Sequence, residues 1–157
     1  NRLISACREK ARTRLALYRW VVFNTLIGND DAHLKNLSFH VEGGERETTL
    51  RLAPHYDLLC TAAYRTGNDW GNAELSWAMG NAKRAHQLTR EHVIAFGEAI
   101  GLPAAVAEKE LRLLLTQSNV SGLGLLNELP EGSHAGEKRF VRQIVHGVMK
   151  DMARQLG

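Results

Sequence analysis

Three polar residues stand at a spacing that phosphoryl transfer can use. Asp31 is followed five residues later by Asn36 and, twenty-one residues beyond that, by Asp57. A carboxylate at Asp31 can serve as a base beside an acceptor hydroxyl. The Asn36 carboxamide and the Asp57 carboxylate are hard oxygen donors of the kind that hold Mg²⁺ against phosphates. Asp and Asn are also ordinary turn and cap residues, and Asn29 or Asp30 alone suggests nothing more than that. Asp31 gains weight from its company: Lys35 and Asn36 follow it in the loop, and a hairpin then leads to Asp57.

Elements on either side must hold this loop. Residues 1–27 read as one helix. Arg8, Arg12 and Arg19 fall within about 40° of each other on it and suggest a solvated basic stripe. From Leu15 to Phe23 it is apolar on almost every face, as a core helix is, and Gly28 stops it. Leu37, Phe39 and Val41 then alternate with polar residues, Gly43-Gly44 signals a turn, and Leu50 and Leu52 alternate in a second run ending at Pro54. Paired as a hairpin, these strands would bring Asn36 close to Asp57.

The remainder is mainly helical. Residues 67–71 read as loop, and Leu75, Trp77 and Met79 as a short edge strand. Thr89 is an N-cap for a helix through Ile100, with Leu88 as hydrophobic staple and Gly101 as the stop. Pro103 suits the first turn of the next helix. Val141, Ile144, Val145, Val148, Met152 and Leu156 mark one face of a last helix.

The spacing follows the protein-kinase template, in which a catalytic-loop Asp precedes a Mg²⁺-binding Asn by five residues and a further Asp binds metal after two short strands. Residues 26–39 (LIGNDDAHLKNLSF) and 52–58 (LAPHYDL) together resemble the kinase core of HipA-type serine/threonine kinases, toxins of bacterial toxin–antitoxin modules. Residues 74–80 resemble the segment that follows. The resemblance is dense over residues 20–80. It implies that Asp31 positions and deprotonates a substrate hydroxyl, that Asn36 and Asp57 hold Mg²⁺ bridging ATP phosphates, and that Lys35 is a point charge near the transferred group. His33 takes the place of the lysine found two residues after the Asp in common protein kinases. It is expected to be buried and to brace the loop, with His55 and Tyr56 fixing Asp57. A protein substrate such as an aminoacyl-tRNA synthetase and a DNA-binding antitoxin partner are likewise implied.

The fold expected is mainly α with a small β-hairpin (α+β), a single domain over residues 1–157 corresponding to the C-terminal lobe of a protein-kinase-like fold. No glycine-rich loop or strand lysine precedes Asp31, so an N-terminal lobe would come from the same polypeptide or a separate chain. The isolated chain would then be inactive, and its exposed half-cleft could favour self-association. Two other classes fit less of the sequence. A metal-dependent hydrolase would use His33, His55 and Asp57, without the His spacing of a zinc helix. A nucleic-acid-binding module would use the Arg8/Arg12/Arg19 stripe and Lys138, Arg139, Arg142, Lys150 and Arg154. A net charge of +3 and a pI near 9.1 suit an anionic ligand. Two cysteines without a CxxC pair, no apolar run near ~20 residues and no signal peptide point to a cytoplasmic protein without a membrane span.

Overall fold

The computed structural model describes residues 2–44, 47–65, 69–130 and 132–157. Two helices, α1 (Arg2–Ser5) and α2 (Lys10–Leu26), replace the single N-terminal helix expected from sequence. Backbone pairing causes the break. Arg8 N donates to Leu50 O at 3.1 Å and Leu50 N to Ala6 O at 3.0 Å, so residues 6–8 join the hairpin and cannot serve a helical ladder. Arg8 therefore leaves the helix, and of the basic stripe expected there only Arg12 and Arg19 share a face of α2.

Strands β1 (Phe39–Gly44) and β2 (Glu47–Leu52) pair antiparallel, with Phe39 opposite Leu52 and Gly44 opposite Glu47. Gly43 and Gly44 are thus paired strand residues rather than the turn; the connection falls on 45–46, outside the described residues. Val41, expected to face inward, is 71% exposed, because only the Leu37 end of the hairpin approaches the core. A second antiparallel sheet, β3 (Glu74–Met79) with β4 (Ala82–Arg84), turns tightly at Gly80 (φ 60). The expected edge strand is thus half of a separate hairpin. Of the expected loop over 67–71, residues 67 and 68 lie outside the described residues, and Asp69–Asn72 form a 3₁₀ turn.

Helix α3 (Arg90–Ala99) starts at the Thr89 cap and ends before Gly101, whose φ of 90 only glycine adopts without strain. Leu88 and Val93, the two ends of the staple, are both buried. Helix α4 (Ala104–Asn127) follows directly on Pro103, which occupies the cap rather than the first turn. A last continuous helical rod comprises α5 (Ala135–Arg142), a π-helical segment (Gln143–Met149) and α6 (Lys150–Leu156). Its inner face is the expected one, with Val145, Val148, Met152 and Leu156 buried, but the period opens by one residue per turn in the middle.

The core centres on α2. Trp20 is buried and meets Trp77 of β3 edge-on at 5.7 Å between ring centroids, and Trp77 in turn meets Phe96 of α3 at 6.1 Å. Tyr18 stacks on Phe96, and its hydroxyl donates to Ala107 O of α4 at 3.0 Å. Burial, reinforced by Glu110, raises the Tyr18 phenol well above its ordinary range, so it remains a donor. Helix α2 is thereby fixed by β3, α3 and α4, and its C-terminal end delivers a rigid start to the loop at Gly28. No helix among the described residues is long and apolar enough to cross a membrane.

Candidate active site

Gly28 adopts a φ of 65 at the end of α2. A Cβ there would lie 2.6 Å from Ala62 Cβ and 2.7 Å from Val148 Cγ1. The backbone approach that only glycine permits lets the segment after Asp57 dock onto the loop: Ala62 N and Thr61 Oγ1 both donate to Gly28 O, at 3.0 and 2.9 Å. Thr61 Oγ1 also accepts from Asp30 N at 2.9 Å. Asp30 turns away from the loop interior and pairs with Arg65. Burial alone would raise its pKa, but the Thr61 hydroxyl and the Arg65 guanidinium outweigh it and hold the carboxyl below its ordinary value.

Asn36 closes the loop. It ends a single 3₁₀ turn (Leu34–Asn36) and is buried. Its Nδ2 donates to Asp31 O at 3.1 Å and to Asp57 Oδ2 at 2.8 Å. The hairpin thus brings together two side chains twenty-one positions apart, as the strand pattern predicted. Because the amide nitrogen takes both bonds, the carbonyl oxygen, the atom able to ligate a hard cation, is left over. Asp57 has a φ of 57, the one non-glycine residue with positive φ among those described. The residue is exposed. An Asn carboxamide in contact with an Asp carboxylate supplies the donor types that suit Mg²⁺, which takes one or two protein oxygens and fills its remaining positions from water and phosphate. Among the described residues no three of His, Cys, Asp and Glu converge on a common point, as a zinc hydrolase site would require.

The Asp31 side chain is 68% exposed at the loop apex, open to an approaching hydroxyl. Its backbone is held from three sides: Asp31 N donates to Asn29 Oδ1 at 3.1 Å, and Asp31 O accepts from His33 N and Asn36 Nδ2. His33 departs from expectation. It is exposed rather than buried, and its Nε2 lies 3.7 Å from Asp31 Oδ1. Leu34 beside it is 65% exposed as well, so the 33–34 stretch lies on the rim and the neighbouring Ala32 takes the buried place. Lys35 is exposed, with its backbone carbonyl fixed by Tyr56 Oη at 2.8 Å. Tyr56 therefore ties the Lys35 end of the loop and Ser38 rather than packing on Asp57. His55 does pack as expected, against Trp20 at 6.2 Å between centroids. Burial outweighs the opposing Ala16 backbone contact and lowers its pKa, so the ring is held neutral.

Several residues that position the site carry no sequence signal of the chemistry. Trp77 Nε1 donates to Ala32 O at 2.7 Å, so the second sheet holds the middle of the loop. Asn29 Nδ2 donates to Asn24 Oδ1 at 2.7 Å and to Asp57 O at 3.2 Å. Asn24 Nδ2 in turn donates to Trp20 O at 2.9 Å. The Gly/Asn/Asp composition predicted a turn at Asn29, and the Asp31 N bond to its side chain is that turn; its longer reach depends on the fold. Three of the eight basic residues proposed for nucleic acid pair with carboxylates: Arg12 with Glu9 at 3.1 Å, Arg19 with Glu110 at 2.7 Å and Arg154 with Asp151 at 3.5 Å.

The sequence and fold have counterparts among known proteins. The model of the HipA-like C-terminal domain matches residues 1–120. The serine/threonine-protein kinase toxin HipA of Shewanella oneidensis is 31% identical over 106 residues, covering 66% of this chain and 23% of the relative. The Y4dM protein of Sinorhizobium fredii is 51% identical over 51 residues, covering 32% of this chain and 12% of that protein. In fold, the chain is similar to HipA as solved in the Shewanella oneidensis complex of HipA, HipB and operator DNA. That match has a TM-score of 0.78 at 23% identity and covers 97% of this chain and 34% of that one. The chain thus spans about a quarter of the curated HipA relative and a third of the solved one. A family match over residues 1–120, carried by an α+β fold, places this protein in the HipA-like C-terminal domain family.

Proposed function

We propose that these residues form the catalytic lobe of a serine/threonine kinase that transfers the γ-phosphoryl group of ATP to a hydroxyl on a protein. The observation that carries the proposal is the meeting of Asn36 with both the Asp31 backbone carbonyl (3.1 Å) and Asp57 Oδ2 (2.8 Å), which holds the loop bearing Asp31 against the Asn36 carboxamide and the Asp57 carboxylate. Asp31 is the base: its exposed carboxylate orients the acceptor hydroxyl and takes its proton late in transfer. Asn36 Oδ1 and Asp57 would hold Mg²⁺, which would supply positive charge against the ATP phosphates. Lys35 adds a positive charge at the rim near the transferred group, and His33 stands beside Asp31 where it can steady the carboxylate.

The 157 residues act as one lobe, and an N-terminal lobe, in the same polypeptide or a separate one, covers the nucleotide. The isolated chain is inactive on this reading, and its open cleft favours self-association. HipA of Shewanella oneidensis has been solved with HipB and operator DNA. By analogy the parent of this chain pairs with a DNA-binding antitoxin, acts in the cytoplasm and phosphorylates a protein of the translation machinery, such as an aminoacyl-tRNA synthetase. The test is transfer of labelled γ-phosphate by the full-length parent to proteins of its host extract. Mg²⁺-dependent labelling of serine or threonine supports the proposal. Its absence, with the parent folded and nucleotide present, refutes it.

A further inference from the structure

Asn29 is buried at 7% exposure, yet its carboxamide reaches both halves of the site. Oδ1 accepts from Asp31 N at 3.1 Å, and Nδ2 donates to Asp57 O at 3.2 Å and to Asn24 Oδ1 at 2.7 Å. Asp57 is the residue whose φ of 57 lies in the left-handed region. Asp tolerates that region better than most residues, but it remains unfavourable and persists where the surroundings over-determine it. Of the hydrogen bonds described at Asp57, one holds the carbonyl (Asn29) and the other the carboxylate (Asn36). The carbonyl contact is the one that bears on the backbone rotation.

We propose that Asn29 is a positioning residue that holds Asp57 in its left-handed backbone conformation and thereby aims the Asp57 carboxylate at the Mg²⁺ position beside Asn36. It does so while also fixing the Asp31 amide, so that base and metal ligand keep one relative placement. The anchor of this clamp is rigid, because Asn24 lies within α2 and donates to Trp20 O in the core. Without the Asn29 donor, Asp57 relaxes to a right-handed or extended backbone, and its carboxylate leaves Asn36. Asn29 takes no part in proton or phosphoryl transfer; it acts through Asp57 and Asp31.

The inference rests on the kinase reading only for the identity of the ligand, so its test has two arms. Asn29→Asp keeps size and the acceptor toward Asp31 N but replaces the donor toward Asp57 O with an acceptor. Asn29→Ser removes the reach without adding charge, and serves if the first variant does not fold. In the full-length parent, binding of the β,γ-imido analogue of ATP is measured by calorimetry with Mg²⁺ and with EDTA. The expected result is a loss of about tenfold with Mg²⁺, the scale of one lost hydrogen bond, and no change in EDTA. No loss with Mg²⁺, or an equal loss in both buffers, overturns the proposal. The second arm is the crystal structure of the Asn29 variant. Asp57 at negative φ supports the clamp, and Asp57 still at positive φ refutes it. A wild-type parent that does not bind the analogue at all sinks the kinase reading, and the backbone arm then decides the clamp alone.

Discussion

Substituting Gly28 by Ala isolates the contact on which the loop's placement depends. Two costs add. A Cβ at a φ of 65 is disfavoured by roughly 1–2 kcal/mol. The same Cβ would lie 2.6 Å from Ala62 Cβ and 2.7 Å from Val148 Cγ1, about 1 Å inside the range of comfortable carbon–carbon contact. Ala62 cannot retreat freely, because its N–H and the Thr61 hydroxyl both donate to Gly28 O. Val148 is 2% exposed within the π-helical segment. Overpacking of this kind costs about 1–3 kcal/mol, so the sum is roughly 2–5 kcal/mol out of a total stability of about 5–15. Urea unfolding of the wild-type and Gly28→Ala chains should show the midpoint falling accordingly at unchanged slope. Gly124→Ala is the control. It lies within α4 with nothing within 4 Å of the added Cβ, and should raise stability by up to about 1 kcal/mol. Equal midpoints for Gly28→Ala and wild type would show that the close approach of loop, Ala62 and Val148 is not what the structure describes.

Three further perturbations probe the supports of the site. Trp77→Phe keeps an aromatic ring but removes the N–H that satisfies Ala32 O; a loss of about 1–3 kcal/mol is expected in unfolding, with a fall in the parent's phosphoryl-transfer rate. Unchanged values for both would remove the second sheet from the account. Arg19→Ala leaves Glu110, whose side chain is 9% exposed, without its partner, and should cost about 1–3 kcal/mol. Arg12→Ala, in an exposed pair, should change stability by less than about 0.5 kcal/mol; the two urea midpoints distinguish these outcomes. The pH dependence of the Asp30–Arg65 pair has a definite sign. The folded-state pKa of Asp30 lies below its unfolded value, so the stabilisation is complete above the unfolded value and is lost as pH falls through the folded one. The stability difference between wild type and Asp30→Asn should therefore be present at pH 7 and shrink below about pH 4. A difference that grows on acidification would contradict the assignment.

The parts of the fold that were legible in the sequence are those set by local pattern. Thr89, Leu88 and Gly101 bounded α3 because caps and staples depend on a few adjacent residues. The Asn36–Asp57 contact was predictable because two alternating runs of similar length leave their outer ends side by side. What could not be read depended on distant partners. The break at residues 6–9 comes from backbone pairing with Leu50, and the exposure of Val41 from how little of the hairpin reaches the core. His33 resembled a loop brace by position, but the loop's curvature buries Ala32 and puts His33 at the rim. Asn29 shows the same limit within the site. Its composition marks a turn, and only the return of the chain at Asp57 reveals the second bond its carboxamide makes.

The central claim is that Asp31 and Asp57 carry out phosphoryl transfer from a folded lobe that does not depend on their charges. The most direct measurement compares γ-phosphate transfer by the full-length parent with that of Asp31→Asn and Asp57→Asn, alongside thermal unfolding of all three. The expected result is loss of transfer in both variants at melting temperatures close to wild type. Transfer at wild-type rates in either variant would contradict the assignment of that residue, and in both would end the kinase account of this site.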